Sequence, residues 1–207
     1  MTQGDEAPAG LRERKKRETR VALSRATIRL CVQRGWSNVT VEDIAAEAHV
    51  SVRTFRNYFS GKAEAIAASH VERMRGIAGE LRSRPAAEPL WDSIVHAVLT
   101  RFAPPGGTGA PHDRRWTDGL RLMLAEPALQ GEIVKANAVA EEELARAVAE
   151  RTGADAARDI HPRLVAAVVC SGTAVAVEHC LRAERPVPLE AVLREVFDRV
   201  TRGLPAP

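Results

Sequence analysis

A net charge of +3 over 207 residues excludes a polycation that coats nucleic acid by bulk charge alone. With 45% apolar and 28% charged residues the chain has the make-up of a soluble globular protein. It is long enough to bury a real core, as one large domain or a small one joined to a medium one. Cys31, Cys170 and Cys180 are odd in number and form no CxxC pair, which excludes a disulfide framework and a cysteine zinc site.

Residues 1–10, MTQGDEAPAG, read as a disordered tail without the apolar core of a signal peptide. From about Leu11 to Arg34 a helix is predicted, with Val21, Leu23, Ala26, Ile28, Leu30 and Cys31 at its apolar positions and Gly35 closing it. Arg12, Arg14, Lys15, Lys16, Arg17, Arg20, Arg25, Arg29 and Arg34 stand there against only Glu13 and Glu18. That is the charge footprint of a phosphate-contacting arm, although arginine is also favoured over lysine throughout the chain.

Two short helices follow, over about 41–47 and 51–58. Thr40 caps the first, with Asp43 three residues on as in a capping box, and Val41, Ile44 and Ala45 form its apolar stripe. Ser51 caps the second, in which Val52, Phe55 and Phe59 recur at helical spacing. Arg53, Thr54, Arg56, Asn57 and Tyr58 are left to point outward. Two capped helices joined by a tight turn, the second presenting hydrogen-bonding groups, make a helix-turn-helix.

Beyond Gly61 a longer helix runs from Lys62 to about Arg82, Pro85 and Pro89 punctuate, and another helix covers about 90–102. The segment 104–113, PPGGTGAPHD, is too rich in Pro and Gly for regular structure and reads as a loop. Helices are predicted next over 114–124, over about 128–151 up to Gly153, after Pro162 to about Ala183, and after Pro188 to about 202. The apolar run Leu164–Val177 is too short to span a bilayer. No segment alternates convincingly, so no sheet is expected. The fold class is all-α, about nine helices in two units: a three-helix N-terminal domain over about 11–66 and a larger helical domain over 67–207.

Thr19-Arg20, Leu23, Ala26, Leu30, Gly35-Trp36, Thr40-Val41, Ile44-Ala45, Ala48, Val50-Ser51, Thr54, Tyr58-Phe59 and Lys62 together resemble the DNA-binding domain of TetR-family transcriptional regulators. The resemblance covers about residues 11–66. It implies an all-α homodimer, operator binding by paired N-terminal domains, and a ligand cavity in the C-terminal domain whose occupancy releases DNA. Two positions depart from the family pattern. His49 stands where the turn commonly has glycine, and Cys31 where a large aromatic is common, leaving a smaller plug or a space for Trp36 to fill.

By position in the motif, Val52, Arg53, Arg56 and Asn57 are candidates for base edges in the major groove. Arginine matches guanine O6/N7 and asparagine adenine N6/N7. Thr40, Ser51, Thr54, Tyr58 and Lys62 are candidates for phosphate contact. Thr40 and Ser51 also serve as caps, and Tyr58 also fits as a half-buried core aromatic. Trp91, Ile94, Val98, Phe102, Trp116, Leu120, Met123 and Leu124 are candidates for the wall of a cavity taking a small, largely apolar effector, each of them fitting plain core as well. His96, His112 and Asp113 are available for polar contacts there. Ala166, Val169, Gly172, Val177, Val192 and Val196, on the two final helices, are candidates for the homodimer interface; the same helices also suit burial within one subunit.

No nucleophile elbow, phosphate loop or HExxH motif is present, so no enzyme, cofactor or metal site is expected. The expected partners are a double-stranded DNA operator, an unknown small-molecule effector and a second copy of the chain, in the cytoplasm and without a membrane. An architectural or activating DNA-binding protein without an effector is the alternative.

Overall fold

The computed structural model describes residues 6–103, 114–185 and 187–204. Among these residues the chain forms nine α-helices and no strand. They are α1 (Glu6–Arg34), α2 (Val41–Glu47), α3 (Val52–Tyr58), α4 (Lys62–Ser83), α5 (Leu90–Phe102), α6 (Arg114–Leu124), α7 (Pro127–Thr152), α8 (Ile160–Arg182) and α9 (Leu189–Thr201). Helix starts follow local chemistry. Thr40 and Ser51 cap α2 and α3 with their hydroxyls, and α7 opens on Pro127, where the missing N–H has no helical partner to lose.

Three details differ from the sequence reading. The first helix begins at Glu6, so half of the expected tail is helical. Trp36–Asn38 forms a single 3₁₀ turn between α1 and α2. Helix α8 starts at Ile160, with Pro162 buried inside its first turn, a position proline tolerates. The expected loop over 104–113, with His112 and Asp113, lies outside the described residues.

Two hydrophobic cores organise the helices. One gathers Leu23, Leu30 and Cys31 of α1, Ile44 of α2, Phe55 of α3, Phe59 just after it and Ala65, Ile66, Ala67 and Ala68 of α4, then adds Met123 of α6 and Leu129 of α7. The other joins Met74, Ile77 and Leu81 of α4 to α5, α7, α8 and α9. Helix α4 therefore serves both, and the two cores do not part at residue 66. Helix α6 crosses α1 so closely that a Cβ on Gly119 would overlap the Val32 carbonyl oxygen and stand 3.1 Å from its carbon.

Arg151, near the end of α7, fastens the connection between α4 and α5. It donates to the carbonyls of Arg84 at 3.3 Å, Pro85 at 2.7 Å and Glu88 at 2.7 Å, and to Ser93 Oγ at 2.8 Å. Glu88 takes hydrogen bonds from Arg84 and from Ser93 Oγ, the latter at 2.5 Å. Those two donors, with Arg151 nearby, hold its carboxyl down at about 2.

At 23 residues α8 is long and apolar enough, by length and composition alone, to cross a membrane. The apolar run Leu164–Val177 lies inside this longer helix. Val165, Ala166, Val169, Cys170, Thr173 and Ala176 are buried against the rest of the protein, the pattern of a core helix.

Candidate nucleic-acid interface

The N-terminal domain positions α3 through a short chain of local causes. The Thr40 hydroxyl accepts from Asp43 N–H at 3.1 Å, while the Thr40 N–H and hydroxyl donate to the Asp43 carboxylate at 2.9 and 2.7 Å. This is a complete capping box. The Thr40 hydroxyl, then its N–H, hold the Asp43 carboxyl below the usual range, and Arg34 adds to the effect.

The turn after α2 closes as a Schellman motif. Val50 N–H reaches the Ala45 carbonyl at 2.9 Å, and His49 N–H reaches that of Ala46 at 3.1 Å. His49 occupies the left-handed position that this motif requires, with φ 54°. Histidine thus adopts here the left-handed conformation that glycine takes most readily.

Ser51 Oγ then accepts from Thr54 N–H at 3.0 Å and shares a 2.8 Å hydrogen bond with the Thr54 hydroxyl. Phe55 and Phe59 are buried with their ring centroids 5.8 Å apart, and the Arg20 guanidinium lies 4.7 Å above the Phe59 ring. With its two phenylalanines in the core, α3 turns Arg53, Arg56 and Asn57 to solvent. Val52 and Thr54 are half-buried. Tyr58 is half-buried too, 6.5 Å from the Phe59 ring.

Lys62, a candidate for phosphate contact, is engaged within the protein itself. Its ammonium donates to the Trp36 carbonyl and, at 2.9 Å, to that of Val39, and lies 4.6 Å from the Trp36 ring centroid. It ties the 3₁₀ turn to α4 from within, because the carbonyls there have no helical partner. Trp36 is half-buried beside this link, while Cys31 packs in the core as a small plug.

The basic segment of α1 divides in the same way. Arg17 pairs with Glu72 at 2.8 Å, Arg29 with Glu47, Arg34 with Asp43 at 3.8 Å, and Arg14 with Glu18 at 3.6 Å. Arg12, Lys15, Lys16 and Arg25 are exposed and carry no ion pair among the described residues. These pairings, invisible in the sequence, reduce the segment's free charge to those four and Arg20.

The eight residues expected to line one cavity do not gather in one place. Ile94 and Val98 are fully buried in the C-terminal core, with Trp91 and Phe102 packed on it. Met123, with Trp116, Leu120 and Leu124, belongs to the N-terminal core instead. The cause is the close crossing of α6 on α1, which turns the apolar side of α6 towards the N-terminal helices. His96 faces Glu80, 3.8 Å away.

Of the residues expected at the dimer interface, most are covered within one subunit. Ala166, Val169, Gly172 and Val192 are buried inside the single chain, and Val177 and Val196 are half-buried. A Cβ on Gly172 would meet Phe197 and Val196 at 3.3 Å, so the missing side chain of Gly172 accommodates α9 of the same subunit. What α8 leaves uncovered is Ile160, Leu164 at 57% exposure and Val175 at 55%, with Val168 half-buried between them.

Comparison with known proteins agrees with this architecture. Residues 23–68 match the family described as bacterial regulatory proteins, tetR family, and residues 88–205 match the MftR C-terminal domain of TetR type. The transcriptional regulator TcmR of Streptomyces glaucescens is 35% identical over 183 residues, which are 84% of this chain and 79% of that protein. MftR of Mycobacterium tuberculosis, a regulator ascribed to mycofactocin biosynthesis, is 30% identical over 92% of this chain and 93% of its own length. Among solved structures, Thermus thermophilus FadR in complex with lauroyl-CoA has a similar fold, with TM-score 0.52 and 18% identity, over 91% of this chain and 96% of that one.

Proposed function

Because the chain belongs to the TetR family of transcriptional regulators, which bind DNA and are not enzymes, we propose that it is a repressor acting as a homodimer on a palindromic operator. Binding of a small, largely apolar effector in the C-terminal domain releases it from DNA. The observation that carries this reading is α3 itself: a helix anchored by a cap and two buried phenylalanines, with Arg53, Arg56 and Asn57 exposed along it. Arg56 and Asn57 read base edges, Arg53 and Val52 contribute beside them, and Thr40, Ser51, Thr54 and Tyr58 contact the backbone at the rim. Arg12, Lys15, Lys16 and Arg25 add phosphate contacts from α1. The protein works in the cytoplasm, with its DNA.

A second copy of the chain covers the apolar stripe of α8 made by exposed Ile160, Leu164 and Val175 with half-buried Val168. Leu164 and Val175 together leave a patch on the C-terminal domain that a symmetric partner would bury against itself. Sedimentation of a Leu164→Arg, Val175→Arg variant is expected to show a monomer, and an intact dimer would move the interface elsewhere. The lauroyl-CoA bound by T. thermophilus FadR supports an effector with a long apolar part.

Selection of bound sequences from a random DNA pool tests the DNA reading and yields the operator, which is expected to be palindromic. On that operator Arg56→Ala or Asn57→Ala should cost about 1–3 kcal/mol and relax one base pair per half-site. Equal losses on operator and random DNA would assign the residue to phosphate contact instead.

A further inference from the structure

One group of cations in the C-terminal part of the molecule has no role in the DNA reading. Arg73, in the middle of α4, is partly buried, and its guanidinium stands 4.6 Å from the centroid of the Phe102 ring of α5. Among the described residues it has neither an ion pair nor a hydrogen bond. Arg101, the residue before Phe102, lies across α4 one turn further on. A Cβ on Gly76 would stand 2.6 Å from its Cζ and 2.7 Å from its Nη2. It too has no carboxylate partner among the described residues. One turn in the other direction His70 places a fully buried Nε2 that meets no hydrogen-bond partner, beside Asn137 of α7.

Three nitrogen-bearing groups thus line up along α4 between α5 and α7, and no acid among the described residues answers them. The arrangement is costly by itself. Burial, and then the like charge of Arg101, disfavour the Arg73 guanidinium, and burial and Arg73 push His70 below its ordinary range. Arg82, further along α4 and exposed, is by contrast paired with Glu143 and Glu150. A ligand anion would relieve the cluster, since two guanidinium forks match the paired oxygens of a carboxylate or phosphate and His70 Nε2 supplies or accepts one more hydrogen bond. Phe102 and the apolar core behind it would meet the remainder of such a molecule.

We propose that Arg73, Arg101 and His70 form the anion-binding end of the effector site, which takes the carboxylate or phosphate head of an otherwise apolar molecule. This rests on the reading of the C-terminal domain as an effector domain, and the test separates the two. Melting temperature and binding are measured with dodecanoate, dodecyl phosphate and dodecanol, which share a tail and differ in the head. At least one of the anionic probes is expected to bind and raise the melting temperature, and dodecanol to bind at least roughly tenfold more weakly. The two anionic arms tell carboxylate from phosphate.

Arg73→Gln and Arg101→Gln should each weaken the anionic probe by roughly tenfold or more. Arg75→Gln, which alters an exposed arginine paired with Glu72, should bind as the wild type does. Arg101 is exposed, so its variant carries the test if Arg73→Gln does not fold. The His70 ring resonances, followed by NMR, should titrate at higher pH once the anionic probe is bound. Dodecanol binding as well as the anions, or unchanged affinity in Arg101→Gln, overturns the anionic site and leaves the effector domain standing. Failure of all three probes to bind overturns both.

Discussion

His49 shows how a single residue can depart from a family pattern and still take the conformation that glycine takes most readily. The Schellman closure between α2 and α3 needs a left-handed residue, and histidine takes φ 54° there at a cost that glycine would not bear. His49→Gly is therefore expected to stabilise the protein by about 0.5–1 kcal/mol, the relief of strain outweighing the added chain entropy. Urea denaturation measures it, and a lower midpoint for the variant would mean that the histidine side chain contributes something the turn alone does not. Lys62 teaches the opposite lesson. Its charge and its place at a helix start suggest a phosphate contact, yet its ammonium is directed inward by two carbonyls and the face of Trp36. The direction of a long side chain is decided by acceptors far away in sequence, 26 and 23 residues distant here.

Among the elements, the helices were legible because their causes are local. Caps at Thr40 and Ser51, Gly and Pro at the ends, and apolar spacing along α4, α5 and α9 place each helix to within a few residues. Which neighbour a helix faces was not legible. Nothing in Trp116, Leu120, Met123 and Leu124 says that they meet the N-terminal core rather than α5, because that depends on how closely α6 can approach Val32. The partner of Gly172 on α8 was not legible for the same reason: glycine suits any close helix pair, and here it meets Val196 and Phe197 of α9 in the same chain. The α4–α5 connection depends on one side chain from α7. Arg151→Ala should cost about 2–3 kcal/mol, since it strips a charged donor from several partly buried acceptors at once. Arg151→Lys should recover little, because an ammonium cannot reproduce the planar fork. Thermal unfolding of both variants checks this, and a full rescue by lysine would make charge, not geometry, the essential property.

For the molecule as a whole, stability should depend on pH through His70. Burial first, then Arg73, lower its folded-state pKa, with the Asn137 side chain opposing them. The unfolded chain therefore takes up this proton at about pH 6.5, before the folded protein does. The contribution is complete above that value and is lost as the pH falls towards the folded pKa. His70→Gln should accordingly show a shallower fall in melting temperature between about pH 7.5 and 5.5 than the wild type. Parallel curves for the two proteins would exclude His70 as a source of the slope.

The double membership of α4 bears on how such a protein can be taken apart. Its first turns close the N-terminal core and its later turns close the other, while α6 returns from the far half of the chain to seal the first. A cut after residue 68, where the tetR-family match ends, would leave Leu30, Cys31 and Val32 facing water in place of Met123 and its neighbours. A chimera that borrows this reading head must carry α6 along with it, or give the recipient a surrogate. Modularity here runs through space and not along the chain.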